Sequence, residues 1–376
     1  STSTSAVQAA VMSGSQGAGF TPAAITSGNS VTYTAATPNS NVGNISVTGA
    51  SVSTTEGVAA PASPSISTTQ GGASGANDTL TLTNMANNGT LELNAAGAGV
   101  TVTMTDATGG ADSFNIVLDD SQDTNGYAAG TVTTAGVETI NVSTDDTLQA
   151  NATTGLDTTN AVYSLTLSDA TTTTVNVSGA GDLTLTATGA NVKTVDASAA
   201  TGIFSYSATT ANMTVTGGSA NDVISVTAAA DNATLNGGAG NDTFNIAGGA
   251  DQVVIDGGAG TDTFVFNGVA STDSLYTVIN NIASGDTIQL NMASITSFNS
   301  QAVTLASGAT ESTQAYQDAA MAAIGQNQAA WFQYGGNTYI VADLDGDTTY
   351  TDATDFTVML TGLVGLSTAS FNTTID

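Results

Sequence analysis

The sequence contains no cysteine, no histidine and a single basic residue, Lys193, and only 5% of its 376 residues are aromatic. Without cysteine the chain has no disulfide bond and no thiol nucleophile. Without histidine and arginine it lacks the parts for Ser-His-Asp hydrolysis, histidine-ligated zinc proteolysis and arginine clamping of phosphates. Paired carboxylates of the glycosidase kind are compatible with so many aspartates, but no acid–base pair is recognisable. We therefore predict that the protein is not an enzyme.

The charge of the chain is almost entirely negative. Its 31 acidic residues against one basic residue give a formal net charge of −30. Only four of the acids are glutamate, and aspartate is the acid that suits turns and metal-binding loops. Nucleic acid is excluded as a partner because nothing neutralises phosphates, whereas divalent cations are favoured. No apolar run approaches membrane-spanning length, so no membrane span is predicted.

Glycine pairs recur every twenty residues and carry the most specific pattern in the chain. The segments GGSANDVIS, GGAGNDTFN and GGAGTDTFV begin at Gly217, Gly237 and Gly257. The last two match the nonapeptide G-G-x-G-x-D-x-U-x of calcium-binding β-rolls, and the first departs only at Ala220. The residues predicted to bind Ca²⁺ are Gly217, Asp222, Gly237, Gly238, Gly240, Asp242, Gly257, Gly258, Gly260 and Asp262. The competing interpretation is that Gly-Asn-Asp sequences are merely good turns.

The same twenty-residue period extends to the apolar residues between these turns. One column is Val175, Val195, Val215, Leu235 and Ile255. The facing columns are Phe204, Ile224, Phe244, Phe264 and Tyr206, Val226, Ile246, Phe266. Two apolar columns that face each other across a narrow coil predict an all-β fold, a right-handed parallel β-solenoid with about 20 residues per coil.

Two further groups of aspartates are candidate cation ligands. Asp231 and Asp251 lie on the opposite edge of the coil without the full motif, and are secondary candidates. The other group follows a predicted strand near the end of the chain, where carboxylates alternate around a glycine as in EF-hand-type loops: Asp343, Asp345, Asp347, Asp352 and Asp355. It departs from that pattern because the glycine precedes the third aspartate and position twelve is Thr354, so a plain acidic turn is the alternative. Several calcium ions are expected in all.

Composition divides the chain into three predicted regions. Residues 1–75 are a Ser/Thr/Ala-rich arm or assembly strands, residues 76–267 the solenoid, and residues 268–376 a small α+β cap. In the cap, Thr313 to Ile324 predicts a helix with Ser312 or Thr313 as N-cap, and Gly335-Gly336 predicts a hairpin turn. The chain opens without an initiator methionine, which suggests a processed form or a segment of a longer precursor.

A column of outward threonines raises ice binding as an alternative function. Thr174, Thr194, Thr214 and Thr234 align at the coil period. The positions two residues further on are Asn176, Asp196, Thr216 and Asn236, so the second threonine rank of a flat ice-binding face is missing. Ordinary outward β-branched residues account for the column better.

The nonapeptides resemble those of the RTX (repeat-in-toxin) family, and the segment GNTYIVADLDGDTTYTDATDFTVMLTGLVGLSTASFN resembles the end of RTX-type surface-layer proteins of Gram-negative bacteria. The resemblance implies type I secretion through a C-terminal signal in the last several tens of residues, calcium-driven folding outside the cell and assembly with copies of itself into a surface coat. It also implies lipopolysaccharide as a partner, through a separate N-terminal domain that is not evident here. We expect a secreted, self-assembling surface-layer or filament subunit; the alternative is a fragment of an RTX adhesin that binds a surface or glycan.

Overall fold

The computed structural model describes most of the chain after residue 78. It covers residues 79–376 except 94–95, 98, 105, 107, 120–125, 147–149, 152–154, 157–159, 190, 269–275, 293–294, 352–353, 370–371 and 376, together with five strands before residue 79. Two compact units are present, Ser1–Val195 with Ala199–Gly202 and Asp196–Ser198 with Ile203–Asp376. We call them the first and the second unit. Most of the predicted arm at residues 1–75 lies outside the described residues.

The first unit is built from short strands that alternate along the chain between two sheets. Its strands are β1 (Phe20–Pro22), β2 (Ser30–Ala35), β3 (Ser46–Thr48), β4 (Ser51–Thr55), β5 (Ser65–Thr69), β6 (Thr79–Met85), β7 (Gly89–Leu93), β8 (Gly99–Met104), β9 (Ser113–Leu118), β10 (Ala128–Thr133), β11 (Thr139–Thr144), β12 (Ala150–Asn151), β13 (Gly155–Leu156), β14 (Val162–Ser168), β15 (Thr174–Gly179) and β16 (Asp182–Ala187); β17 (Thr194–Ala200) has residues in both units.

Parallel pairing in the first unit joins β2, β4, β6, β8, β10, β14 and β16 in one sheet and β3, β5, β7, β9, β11 and β15 in the other. A chain that visits two parallel sheets in turn is a coil, as predicted. The coils here are unequal: Thr79 pairs with Gly99, 20 residues later, whereas Thr139 pairs with Thr174, 35 residues later. The twenty-residue coil therefore does not hold throughout this unit.

The second unit contains the regular coils and the C-terminal elements. Its strands are β18 (Phe204–Ala208), β19 (Thr214–Thr216), β20 (Val223–Val226), β21 (Thr234–Asn236), β22 (Thr243–Ala247), β23 (Val254–Asp256), β24 (Thr263–Asn267), β25 (Thr277–Asn280), β26 (Thr287–Leu290), β27 (Ser297–Phe298), β28 (Gln328–Tyr334), β29 (Asn337–Asp343), β30 (Phe356–Leu360), β31 (Leu366–Ala369) and β32 (Asn372–Ile375). The helix α1 spans Thr313–Ala323, and the Ser312 hydroxyl accepts the Ala315 N–H at its start (3.1 Å).

Regular coils of twenty residues are confirmed between β19 and β24. Thr214 pairs with Thr234, and Thr243 pairs with Thr263, all in parallel strands. The pairing continues past residue 267 with a longer coil, because Thr263 pairs with Thr287, 24 residues later. The predicted helix and the predicted hairpin around Gly335-Gly336 are also confirmed, and β30 pairs antiparallel with β29 and parallel with β25.

The interior of the regular coils contains the predicted apolar residues, but both facing columns are shifted at the first coil. All the residues predicted for the columns are buried. At the first coil, however, Tyr206 pairs with Ile224 and Ala208 with Val226, so the predicted alignments of Phe204 with Ile224 and of Tyr206 with Val226 are wrong by two residues. The reason is local. Phe204 lies two residues before the residue that pairs with Ile224, and it is therefore opposite Asp222 of the next coil. An apolar ring fills this interior position where the glycine–aspartate turn is absent.

We predict that the stacked rings carry much of the coil stability. Phe244 is fully buried and stacks on Phe264 with ring centroids 5.4 Å apart. Replacing Phe244 by alanine should lower the free energy of unfolding by about 3–5 kcal/mol, because the cavity cannot collapse in a column of fixed strand spacing. Urea unfolding followed by circular dichroism measures this loss. The exposed Leu363 (67% exposed) is the control, and Leu363→Ala should change stability by no more than about 0.5 kcal/mol. Equal losses in the two variants would contradict the prediction.

Candidate metal centre

Four aspartates line one edge of the second unit, each directly before a strand of the same sheet. Asp222, Asp242 and Asp262 precede β20, β22 and β24, and Asp286 precedes β26. All four side chains are buried, with at most 2% of their surface exposed. We call this set the aspartate column. A charged side chain is seldom buried this deeply, so each carboxylate must be held by specific partners.

Backbone N–H groups of the neighbouring coil hold one oxygen of each carboxylate. Asp242 Oδ1 accepts the N–H of Asp222 (2.7 Å), and Asp262 Oδ1 accepts the N–H of Asp242 (2.9 Å). At the two ends of the column, Asp222 Oδ1 accepts the Phe204 N–H (2.7 Å) and Asp286 Oδ1 the Asp262 N–H (2.8 Å). These N–H groups lie at the corner, just before the strand, where a buried donor without an acceptor would be costly.

The residue before each aspartate forms a second set of links in the opposite direction. Asn221 Oδ1 accepts the N–H of Asn241 in the following coil (2.7 Å), and Asn241 Oδ1 accepts the N–H of Thr261 (2.8 Å). Both asparagines are exposed, whereas the aspartates beside them are buried. The coils of Asp222 and Asp242, and those of Asp242 and Asp262, are therefore each tied at the corner by one exposed amide and one buried carboxylate.

The motif glycines leave room for the carboxylates and for the neighbouring backbone. A Cβ atom on Gly237 would collide with Asp242 Oδ2, so the first glycine of the turn is required by the aspartate itself. Gly240 has φ +115° and lies against the backbone of Ala220, which excludes a side chain on two grounds. The other predicted glycines are buried in the same turns or adopt positive φ: Gly217, Gly238, Gly257, Gly258 and Gly260.

The second carboxylate oxygens differ along the aspartate column. Asp222 Oδ2 accepts the Gly218 N–H, and Asp286 Oδ2 accepts the Ala283 N–H (2.7 Å). Asp242 Oδ2 is buried, and none of the described residues donates a hydrogen bond to it. Burial raises the pKa of Asp242 to about 7, with a smaller contribution from the charges of Asp222 and Asp262 and an opposing one from the Asp222 N–H. Burial also raises the pKa of Asp262.

Asp286 is the member of the column that the sequence pattern did not indicate. Its interval from Asp262 is 24 residues, because the chain makes a longer excursion between β24 and β26. The available signal was the local sequence Gly-Asp-Thr-Ile at residues 285–288, which resembles Asn-Asp-Thr-Phe at residues 241–244. A search for a fixed period misses it.

The opposite edge of the coil brings the secondary candidates Asp231 and Asp251 together. Asp231 Oδ1 accepts the Asp251 N–H (3.0 Å), and both side chains are only partly buried. Asn232 and Gln252 follow these aspartates with φ of +56°. The later coil donates to the earlier one here, as in the Asn221–Asn241 link and opposite to the hydrogen bonds of the aspartate column.

A cluster of three carboxylates lies between β29 and β30. The ligand-type oxygens of Asp343, Asp345 and Asp355 lie within 4.8 Å of one another, the one such cluster of three or more acids, cysteines or histidines found among the described residues. Asp343 is the last residue of β29 and Asp355 immediately precedes β30, so the antiparallel pairing of these strands brings them together. We call this set the loop cluster.

The loop cluster differs from the predicted ligand set in two members. Asp347 is exposed, lies outside the cluster and accepts the Thr349 N–H (2.7 Å). Asp352 lies outside the described residues. The position-twelve acid missing from the EF-hand pattern is replaced by Asp355, one residue later. Burial raises the pKa of Asp355, and the charges of Asp345 and Asp343 add to this effect, while N–H groups of Thr351 and Leu344 oppose it.

The donor chemistry of both sites fits a hard cation. Aspartate carboxylates are the side-chain ligands available in the aspartate column and in the loop cluster, and Ca²⁺ prefers oxygen ligands. The buried Asp242 Oδ2 without a donor and the mutual proximity of three carboxylates are the features that a bound cation would stabilise. Gly237 and its equivalents keep the space next to these oxygens open.

Comparison with known proteins gives no family for this chain. No protein-family model and no curated protein matches it. None of the helices in the described part of the chain is long and apolar enough to cross a membrane.

We predict that the ion-free protein becomes less stable as the pH rises from 5 to 8. The pKa of Asp242 increases from 3.8 to about 7 on folding, so the fold favours the protonated carboxyl. This stabilisation is complete below about pH 4 and is lost as the pH rises through about 7. In EDTA, the midpoint of thermal unfolding should be higher at pH 5 than at pH 8 by circular dichroism.

Asp242→Asn provides the control for this pH dependence, since the amide does not titrate. Carboxylates with an ordinary pKa near 4 are ionised at both pH values and contribute little to the difference. The variant should show a smaller change between pH 5 and pH 8 than the wild type. An equal change in both proteins would contradict the assignment to Asp242.

We predict that Asp345 contributes to cation binding and that Asp347 does not. Both side chains are exposed, and each accepts the backbone N–H two residues further on. Only Asp345 belongs to the loop cluster. Asp345→Asn should lower the calcium affinity of one site by about tenfold or more, roughly 1.4 kcal/mol, and Asp347→Asn should leave it unchanged in equilibrium dialysis. Equal effects of the two substitutions would overturn the assignment.

Proposed function

We propose that this chain is a structural protein of the bacterial cell surface that assembles with copies of itself and is folded by calcium. The observation that carries the proposal is the aspartate column: four buried carboxylates, one per coil, with a second oxygen at Asp242 that accepts no hydrogen bond from the described residues. Bound Ca²⁺ would supply the positive charge that this column lacks.

The choice between aspartate and asparagine at the corner supports a role for charge. Asn221 and Asn241 accept corner N–H groups without carrying a charge, and they lie on the exposed side. The buried side uses aspartate in four successive coils, although burying a carboxylate is costly and stacked carboxylates repel each other. If acceptance of a backbone N–H were the only requirement at Asp242, an amide would meet it at lower cost.

The net charge indicates on which side of the cell envelope calcium would fold the chain. A chain with a formal net charge of −30 repels itself, and the repulsion is largest where the cation concentration is lowest. In the bacterial cytoplasm, where free Ca²⁺ is low, such a chain would stay loose and compatible with secretion. Outside the cell, calcium would neutralise the carboxylates and close the coils.

A structural role follows from the residue types and from the regular coil. The sequence has no histidine, cysteine or arginine for the common catalytic arrangements. Side chains of the coil strands alternate between the packed interior and the outer sheet faces. Among the described strands of the second unit, β27 and β31 are outermost in their sheets, and outer strands offer backbone groups for pairing with another copy.

We predict that calcium controls both folding and assembly of the purified chain. After chelation with EDTA and dialysis, the β-sheet signal in circular dichroism should decrease, and it should return when calcium is added. Electron microscopy of the calcium-loaded protein should then show ordered arrays or filaments, and the chelated protein should show none.

The two measurements separate the two parts of the proposal. A β-sheet signal that does not change on chelation would overturn the calcium requirement. A calcium-loaded protein that stays monomeric and binds cells or glycans would overturn self-assembly and would favour an adhesin. Asp347→Asn removes one carboxylate outside both sites. As the control, this variant should fold and assemble with calcium as the wild type does.

A further inference from the structure

A second carboxylate pair lies in the first unit, far in sequence from the calcium motif. Asp112 immediately precedes β9 and Glu138 immediately precedes β11. These strands are parallel neighbours with Ser113 opposite Thr139, so the two acids lie side by side at one edge of their sheet. The sequence TGGAD at residues 108–112 contains a glycine pair, but its aspartate comes two residues earlier than in the motif.

The backbone contact between the two acids repeats that of the aspartate column. The Asp112 N–H donates to Glu138 Oε2 (2.8 Å), just as the Asp222 N–H donates to Asp242 Oδ1 (2.7 Å). Asp112 also turns back towards its own glycine pair, since a Cβ atom on Gly109 would lie 2.9 Å from Asp112 Oδ2. The Glu138 side chain, which is longer than that of aspartate, accepts the equivalent N–H from the neighbouring strand.

The Asp112 carboxylate is buried without compensation. Its side chain is 8% exposed, and Oδ2 is buried with no hydrogen-bond partner among the described residues. Asp169, buried to a similar degree in the same unit, is different: Thr134 Oγ1 and the Thr171 N–H each donate to it at 2.7 Å. Asp169 is therefore a backbone and hydroxyl acceptor, whereas none of the described residues donates a hydrogen bond to the buried Asp112 Oδ2.

The one basic residue of the sequence, Lys193, lies two strands away from Glu138 in the same sheet. It precedes β17, and Thr173 lies between it and Glu138. The Lys193 N–H donates to Thr173 O, and the Thr173 N–H donates to Glu138 O (both 2.9 Å). At about 4.8 Å per strand, the backbones of Lys193 and Glu138 are roughly 10 Å apart.

We propose that Asp112 and Glu138 bind a divalent cation of the Ca²⁺ type in the first unit. Asp112 Oδ2 and the Glu138 carboxylate supply hard oxygen ligands with two negative charges. Residues 108–111 beside them are exposed, so water reaches the site and completes the coordination shell. This site shares its cation with the proposed function but does not depend on assembly or on the calcium motif.

Hydrogen–deuterium exchange of the full chain, with and without calcium after chelation, tests this site. Calcium should slow exchange by roughly tenfold or more in peptides covering residues 108–118 and 137–144. Peptides covering residues 217–266 report separately on the aspartate column. Asp112→Asn and Glu138→Gln should each abolish the calcium effect at residues 108–144 and leave the effect at residues 217–266 intact.

Glu138→Gln keeps the fold testable, because its amide oxygen still accepts the Asp112 N–H. Asp182→Asn, which removes one charge elsewhere in the first unit, is the matched control and should retain the full calcium effect. A calcium effect at residues 217–266 with none at 108–144 in the wild type would overturn this site and leave the proposed function standing. Persistence of the effect in both variants would also overturn it. Absence of any effect in either region would refute both proposals.

Discussion

Hydrogen bonds between turn side chains and the backbone of the next coil are the interaction on which the regular coils depend. Parallel pairing satisfies the backbone within the strands, and some backbone hydrogen bonds between coils continue in the corners, such as that from Ala239 N–H to Gly218 O. Asp242 Oδ1 and Asn221 Oδ1 then accept corner N–H groups from adjacent coils, in opposite directions. These links place the corner residues of successive coils next to one another, in keeping with the interval of twenty residues and the phenylalanine column in register.

The same hydrogen bonds collect negative charge inside the protein. A carboxylate that faces inward at one coil places the next carboxylate one strand away, and the pKa of Asp242 rises to about 7 in consequence of burial and of these neighbours. Under the proposed function, protons and divalent cations would compete for this column. Corner hydrogen bonding and the raised pKa of Asp242 are two results of one geometric arrangement. The loop cluster reaches a similar charge density by a different route, an antiparallel strand pair.

The sequence predicted the structure best where local motif and period coincide. Between residues 214 and 267 the turn residues, strands and buried columns all follow from the twenty-residue interval. Prediction failed where the motif ends: Phe204 is out of register because no glycine–aspartate turn fixes its coil, and Asp286 lies beyond a 24-residue coil. The pairing of Asp112 with Glu138 was missed for the same reason, since a 26-residue coil and a change of acid leave no period to detect. In the loop cluster, strand pairing rather than spacing selects Asp355.

A coil of parallel strands is stabilised by packing against a neighbouring coil, so the end of the array needs another folded element to pack against. The second unit contains such an element. Helix α1 and the hairpin of β28 and β29 enclose a separate core that includes Met321, Phe332 and Tyr339, formed by contacts close in sequence. Strand β30 then pairs antiparallel with this hairpin and parallel with β25. The C-terminal elements therefore offer β30 as a parallel partner to β25, and β25 in turn pairs with β23 of the regular coils. The last member of the aspartate column, Asp286, precedes β26 at that end of the array, so the corner hydrogen bonds continue up to the C-terminal elements.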